Sequence, residues 1–320
     1  MSIALPNSIR DLEEIQELIG AHIIRTPVIE SVIINEMTQS RVFFKCENFQ
    51  RIGAFKARGA LNAVLRLSKD ELAKGVATHS SGNHAQALAY AAKIAGTKAI
   101  IVMPENSNKT KIEGVKRLGG EIIFCKPTTE DREKKLEEYL KKSGAFYVPP
   151  YNHEWVIGGQ GTAAKELLED HPEIELMLTP TGGGGLLSGT ALVSKLVNNK
   201  INVFGAEPEN LNDAKRSFIS GKIEKNEIGK SSVADGLRTT LGEITLKCIL
   251  ENVSDIFTVT EEEIIQSMKL MWQYLKITAE PSCAVTLAAV LKNPTLFKQK
   301  ITGIIVSGGN VDLEEVPFLK

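Results

Sequence analysis

The chain is poor in the residues that staple or metallate small folds. Its 320 residues hold four cysteines, Cys46, Cys125, Cys248 and Cys283, and none are paired as CxxC. Such scattering excludes a disulfide framework and reads as reduced thiols in a cytoplasmic protein. The five histidines do not fall at zinc-ligand spacings, which argues against a zinc centre. An excess of charge of one sign is missing too. Thirty-eight basic residues meet 39 acidic ones for a net charge of −1, with no basic stripe. Nucleic acid and acidic membrane surfaces are therefore not expected partners. No apolar run reaches membrane-spanning length, and "MSIALPNSIRDLEE" lacks the apolar stretch of a signal peptide.

What is present is an ordinary globular composition, 42% hydrophobic and 24% charged, enough for one large domain or two lobes. From Lys74 to Pro150 strands and helices alternate. "GVATHS" predicts a strand, "GNHAQALAYAAKIAG" a helix, "KAIIVMP" a strand and "NKTKIEGVKRLGG" a helix. "EIIFCK" is a third strand, "TEDREKKLEEYLKKSG" a charged helix and "AFYVPP" a fourth strand. Glycines at helix ends and short connections mean a parallel sheet. A second series follows: helix "IGGQGTAAKELLED", strand "IELMLTPT", helix "LLSGTALVSKLV" and strand "INVFGAE". Then come strand "IFTVT", a long helix "EEEIIQSMKLMWQYLK", helix "PSCAVTLAAVLKN" and strand "TGIIVSGG". Two α/β lobes are expected, the first nested inside the second.

Within "IGAFKARGA", Lys56 stands among small and apolar residues, with Arg58 as its only charged neighbour. Either it is a surface lysine early in a helix, or it is pressed into an apolar pocket as a nucleophilic amine. Burial and a nearby cation would both disfavour its ammonium form. "TPTGGGGLLSG" puts four glycines between a strand and a helix. The loop is either a flexible turn or a phosphate cradle of backbone N–H groups. A dinucleotide fingerprint fails: the third required glycine would be Leu187 or Ser188. That disfavours a nicotinamide dehydrogenase. "THSSGNHAQALA" offers Ser80, Ser81 and Asn83 near exposed helix N–H groups, an arrangement suited to a carboxylate or to a simple N-cap. "VSGGNVD" is a third glycine turn and carries Ser307. "AEPENLND" carries Glu207, Glu209 and Asp213, either a solvated acidic loop or a site for a hard cation.

In this order, "GAFKARGA", "SSGNHAQAL", "GGQGT", "GGGGLLSG", "AEP" and "SGGNVD" resemble the fold-type II pyridoxal phosphate enzymes along essentially the whole chain. The likeness is to the serine racemase and serine/threonine dehydratase branch. It implies an α/β fold of the tryptophan synthase β type, with two lobes, each a mainly parallel sheet flanked by helices. Residues 1–65 and 154–320 would form the large cofactor-binding lobe and 66–153 a small mobile one. Lys56 would carry the cofactor, with Phe55 against its ring. Gly182, Gly183, Gly184, Gly185 and Leu186 would hold the phosphate, Asn83 the ring 3-hydroxyl, and Ser307 would sit at the pyridine nitrogen. Ser80, Ser81, Asn83 and His84 would hold the substrate carboxylate, with Arg132 and Thr239 closing over it. Glu207, Asp213 and the Leu211 carbonyl match that branch's site for Mg²⁺ or Ca²⁺.

The activity so implied is an L-serine/L-threonine ammonia-lyase giving 2-oxo acid and ammonia, with serine racemisation as a second output. Its substrate would be a small β-hydroxy amino acid and its assembly a homodimer. Ser81 would act on the face of Cα opposite Lys56, where typical threonine dehydratases carry alanine. "YVPPYNHEWVIGGQGT" departs from the pattern: Tyr151 is closer to the dehydratase aromatic than to the racemase asparagine, and Glu154 replaces a proline. "ADGLRTTLG" also suits relatives acting on 3-hydroxyaspartate, so a dehydratase of that substrate is the alternative. A catalytically silent amino-acid sensor is the reading from another class.

Overall fold

The computed structural model describes residues 4–107, 109–227 and 229–319. Ten strands run in chain order: β1 (Val28–Glu30), β2 (Arg41–Cys46), β3 (Val76–His79), β4 (Ala99–Pro104), β5 (Glu121–Cys125), β6 (Phe146–Tyr147), β7 (Leu176–Pro180), β8 (Asn202–Pro208), β9 (Asp255–Val259) and β10 (Ile301–Val306). They form two sheets, one ordered β1-β2-β10-β7-β8-β9 and the other β5-β4-β3-β6. Every pair is parallel except β1 with β2. Helices cover both faces of each sheet, so the strands read as continuous apolar runs. Along β4, Ile101 and Met103 pack with Leu61, Val64 and Leu88, whereas Ile100 and Val102 pack with Leu136 on the other face. In β10, Ile304 and Val306 face Ala284 and Leu287, while Ile305 faces Leu167 and Leu187.

The alternating helices and strands expected from the sequence are present, with three differences of detail. The expected strand "AFYVPP" pairs only over Phe146–Tyr147; prolines at 149 and 150 have no N–H to continue the ladder. The helix around "GGQGT" starts earlier than the motif, at Glu154–Asp170, capped by His153 accepting from the Trp155 N–H. Glu154 is thus the first helical residue, where proline is favoured and where an acid also suits the helix dipole. The long helix after β9 is Glu261–Leu270, continued by a π-turn over Met271–Leu275 and stopped by Lys276 in the left-handed region.

Glycines set how closely the helices meet. A Cβ on Gly159 would lie 2.6 Å from the Arg58 carbonyl oxygen, and one on Gly189 would lie 2.5 Å from that of Ile157. Helix Glu154–Asp170 therefore touches helix Lys56–Val64 on one side and helix Gly185–Val197 on the other, backbone to backbone.

Beneath the first of these contacts lies a buried ionic quartet. Arg58 Nε meets Glu47 at 2.7 Å and its Nη1 meets Glu166 at 2.8 Å, while Lys45 Nζ meets Glu166 at 2.7 Å. Thr26 donates to Glu47 at 2.6 Å and its carbonyl accepts from Lys45 at 2.7 Å. Two cations balance two anions. Burial alone would raise the Glu166 carboxyl, but hydrogen bonds and charge from Arg58, with Lys45, hold it below its ordinary value. Removing one member leaves an uncompensated buried charge. Arg58→Leu is expected to cost about 3–5 kcal/mol in urea-induced unfolding; a loss below ~1 kcal/mol would contradict this account of the quartet.

Candidate active site

Lys56 is the first residue of helix Lys56–Val64, preceded by Phe55 with no side-chain cap. Phe55 N–H donates to the Ser307 carbonyl at 3.0 Å, and Ala54 bridges to Gly308. The segment before Lys56 is thereby tied to the end of β10. The Lys56 amine donates to the Pro150 carbonyl at 2.7 Å and lies 5.0 Å from the centre of the Phe55 ring. Burial lowers its pKa to about 8, and the charge of Glu280 opposes that shift. The help expected from Arg58 is absent, because Arg58 is turned into the quartet below, where Glu47 and Glu166 absorb its charge.

The four-glycine loop follows β7 and leads into helix Gly185–Val197, with Gly184 at φ +84. Its walls are close. A Cβ on Gly183 would fall 2.3 Å from the Tyr151 ring, one on Gly185 would fall 2.6 Å from the Gln160 Oε1, and one on Gly182 would fall 3.2 Å from the Thr239 hydroxyl. Only glycine leaves the loop's backbone N–H groups open to an anion between Tyr151 and Thr239. Both polar atoms of the Gln160 amide are buried without a partner, so polar capacity remains beside the loop. Leu186 is buried behind it in the core. Gly182–Gly185 sit at a helix N-terminus, the Lys56 amine is desolvated, and Ser307 is buried beside the segment before it. This set fits a phosphate-bearing aldehyde cofactor.

The second candidate turn follows β3. Ser80 accepts from the Gly82 N–H at 3.3 Å, Ser81 is half-buried, and Asn83 opens helix Asn83–Ala95. The Asn83 amide nitrogen donates to both oxygens of Glu280 at 3.1 Å, and its carbonyl accepts from Asn310 Nδ2 at 2.8 Å. His84 is buried with Nε2 3.0 Å from the Val148 carbonyl. Burial, then the Lys56 charge, hold it at about 3, so its imidazole is neutral. Arg132 lies in the first turn of helix Thr129–Ser143, its Nε buried without a partner, and its charge acts on His79. Thr239 is exposed on the opposite lobe, and among the described residues no hydrogen bond joins it to Arg132.

Away from the amine, Glu207 at the end of β8 accepts from the Lys215 N–H at 2.7 Å and the Ala214 N–H at 3.2 Å. Asp213 accepts from Asn226 at 2.5 Å, and its other oxygen is buried without a partner. Burial raises the Asp213 carboxyl to about 6; burial, and then the Asp213 charge, push Glu207 well up. Leu211 closes the short turn Glu209–Leu211 between them. Among the described residues no group of three or more histidine, cysteine, aspartate or glutamate side chains converges.

One residue escaped the sequence reading. Glu280 belongs to no recognised motif and precedes the proline that opens helix Pro281–Lys292; its only signal is that Glu-Pro step after a π-turn.

A family model described as "Pyridoxal-phosphate dependent enzyme" matches residues 19–308. The chain is 46% identical over 308 residues to a β-hydroxyaspartate dehydratase of Paracoccus denitrificans, covering 96% of this chain and 98% of that one. The crystal structure of serine racemase from Dictyostelium discoideum superposes with a TM-score of 0.91 at 44% identity, covering 96% and 99%. The maize serine racemase structure does so with a TM-score of 0.94 at 42% identity, covering 98% and 95%. With a desolvated lysine at one helix N-terminus and a four-glycine loop at another, and with likeness along nearly its full length, the chain belongs to the pyridoxal-phosphate dependent enzymes.

Proposed function

We propose that the protein is an ammonia-lyase acting on L-serine and L-threonine, and that it also racemises serine. The observation that carries this reading is the Lys56 amine, held in the cleft at a pKa of about 8 while Arg58 is neutralised elsewhere. Likeness to serine racemases, threonine deaminase and hydroxyaspartate dehydratases supports the reaction class. Bound pyridoxal phosphate would supply the electron sink that acidifies the substrate Cα–H. Lys56 would hold it, with Phe55 against its ring. Gly182–Gly185 and the Leu186 N–H would bind its phosphate, Asn83 its 3-hydroxyl and Ser307 its ring nitrogen. The small lobe, proposed to span 66–153, would bring Ser80, Ser81, Asn83 and His84 to the substrate carboxylate. Arg132 and Thr239 would close over it from opposite lobes.

The Lys56 amine takes the Cα proton from one face; returning a proton from the other face needs a second group, which we assign to the Ser81 hydroxyl. Loss of the β-hydroxyl as water after proton removal leaves an unsaturated amine, which tautomerises to an imine and is hydrolysed by water to 2-oxo acid and ammonia. Reprotonation from the Ser81 face instead yields the D-amino acid. A second reading, 3-hydroxyaspartate as substrate, is favoured by the partnerless buried Nε of Arg132, a cation suited to a β-carboxylate.

A substrate panel that follows 2-oxo acid and D-amino acid together tests the assignment. Ser81→Ala should lower L-to-D conversion of serine and D-serine dehydration by ~100-fold or more, in the range of a lost general acid or base. L-Serine dehydration should stay within about fivefold, since Lys56 still removes that proton. Equal loss of both L-side activities would reduce Ser81 to holding the carboxylate, and wild-type protein that makes no D-serine would leave a pure dehydratase. Turnover of 3-hydroxyaspartate far above that of serine would decide for the second reading.

Glu207, Asp213 and the Leu211 carbonyl are proposed to bind Mg²⁺ or Ca²⁺. Two buried carboxyls are lifted above their ordinary values although the Arg216 charge opposes the shift, neither forms an ion pair among the described residues, and oxygen ligands suit hard ions. Without a cation, a carboxyl with a raised folded-state pKa destabilises the fold once ionised. Its stability penalty therefore grows as pH rises from the unfolded value through about 6. Added Mg²⁺ should accordingly raise the melting temperature of chelator-treated protein more at pH 7.5 than at pH 5. Equal or no stabilisation at both would leave only a protonated acidic loop.

A further inference from the structure

Glu280 is only 6% exposed, yet its carboxyl group forms no ion pair among the described residues, the nearby Lys111 being paired with Asp235 instead. Its partners are amides. Both oxygens accept from Asn83 Nδ2 at 3.1 Å, and Oε2 also accepts from the Asn310 N–H at 3.2 Å. Room is made for it: a Cβ on Gly308 would lie 2.9 Å from the carboxyl carbon and both oxygens. Asn310 completes the frame. Its Nδ2 donates to the Asn83 carbonyl at 2.8 Å and to the Ile52 carbonyl at 2.7 Å. The Asn83 amide thus has one permitted orientation, nitrogen toward Glu280 and oxygen toward Asn310. A flip would set donor against donor at Asn310 and leave a carboxylate facing a carbonyl.

This frame crosses the cleft. Asn83 opens helix Asn83–Ala95 beside the four-stranded sheet, whereas Glu280 and Asn310 flank the end of β10 in the six-stranded one. The charged and titratable groups around Glu280 are Lys56, Asp235, Lys111 and Cys283. Lys111 pairs with Asp235 at 2.6 Å, a second tie from one lobe to the other. Burial lifts the Glu280 carboxyl to about 7, with the hydrogen bond from Asn83 opposing that shift. A buried acid kept on two amides and no cation is costly unless it fixes something.

We propose that Glu280 is a positioning residue: it locks the Asn83 side-chain amide in one orientation and so fixes how that amide meets the ring of the bound cofactor. The inference rests on the reading of Asn83 as the partner of the cofactor 3-hydroxyl. One amide hydrogen is taken by Glu280, and the lock aims the other. Glu280 acts through Asn83 and needs no contact with substrate.

A double-mutant cycle on the holoenzyme tests this, read by the dissociation constant of pyridoxal phosphate and by the visible absorbance of the bound cofactor. Glu280→Gln keeps the size but, in either amide orientation, sets an N–H₂ group against the Asn83 Nδ2 donor and removes the charge. It should weaken cofactor binding about tenfold or more, the scale of a lost charge-assisted hydrogen bond, and shift the visible band. Asn83→Ala should do the same, and the double variant should be no worse than about twofold beyond the weaker-binding single one. Multiplicative losses would show that Glu280 acts independently of Asn83, which overturns the proposal; so would a Glu280→Gln enzyme with wild-type affinity and spectrum. If instead Asn83→Ala alone leaves affinity and spectrum unchanged, the reading of Asn83 fails, and the proposal with it. Should Glu280→Gln not fold, Asn310→Ala removes the other side of the lock and must show the same spectral shift; its absence contradicts the proposal.

Discussion

Contact between three helix backbones sets the geometry on which the rest depends. Helix Glu154–Asp170 carries glycines at 158, 159 and 161. Gly159 meets the Arg58 carbonyl, and Gly161 meets the Gly189 carbonyl. The helix that begins with Lys56 and the helix that begins at the glycine loop are thereby fixed to one support. A methyl group at either contact would have to push two backbones apart, in a core with no slack. The Lys56 amine and the four-glycine loop sit at the N-terminal ends of helices packed against that common support.

Electrostatics follow from the same packing. Arg58 lies two residues beyond Lys56 and faces the opposite way, into a quartet whose charges cancel. The amine is therefore shifted by desolvation, not by a neighbouring cation. The acid that acts on it, Glu280, is bonded through its N–H to Gly308, at the same end of β10 to which the segment before Lys56 is tied. Lys56, Asn83 and Ser307 come from three separate stretches of chain. They converge because parallel strands deliver their C-terminal ends, and the turns after them, to one edge of each sheet.

Much of this is legible in the sequence. The β3–β6 and β7–β10 series can be read because buried parallel strands alternate with helices whose ends carry glycine. The glycine loop can be read because four glycines in a row have few physical excuses. Lys56 stands out by its apolar surroundings. Other features depend on contacts distant in sequence. Arg58 finds Glu166 across 108 positions, and no local pattern announces it, so sequence proximity wrongly lends its charge to Lys56. Glu280 meets Asn83 across 197 positions and carries no motif of its own. The role of "GGQGT" as a packing surface emerges only when the two neighbouring helices are in place.

The central claim is that the desolvated amine of Lys56 is the reactive group of the site. Borohydride reduction of the holoenzyme, followed by peptide mapping, measures this directly. Pyridoxal phosphate should be fixed on the peptide containing Lys56, with no other lysine labelled. Label on a different lysine, with Lys56 unmodified, would contradict the account.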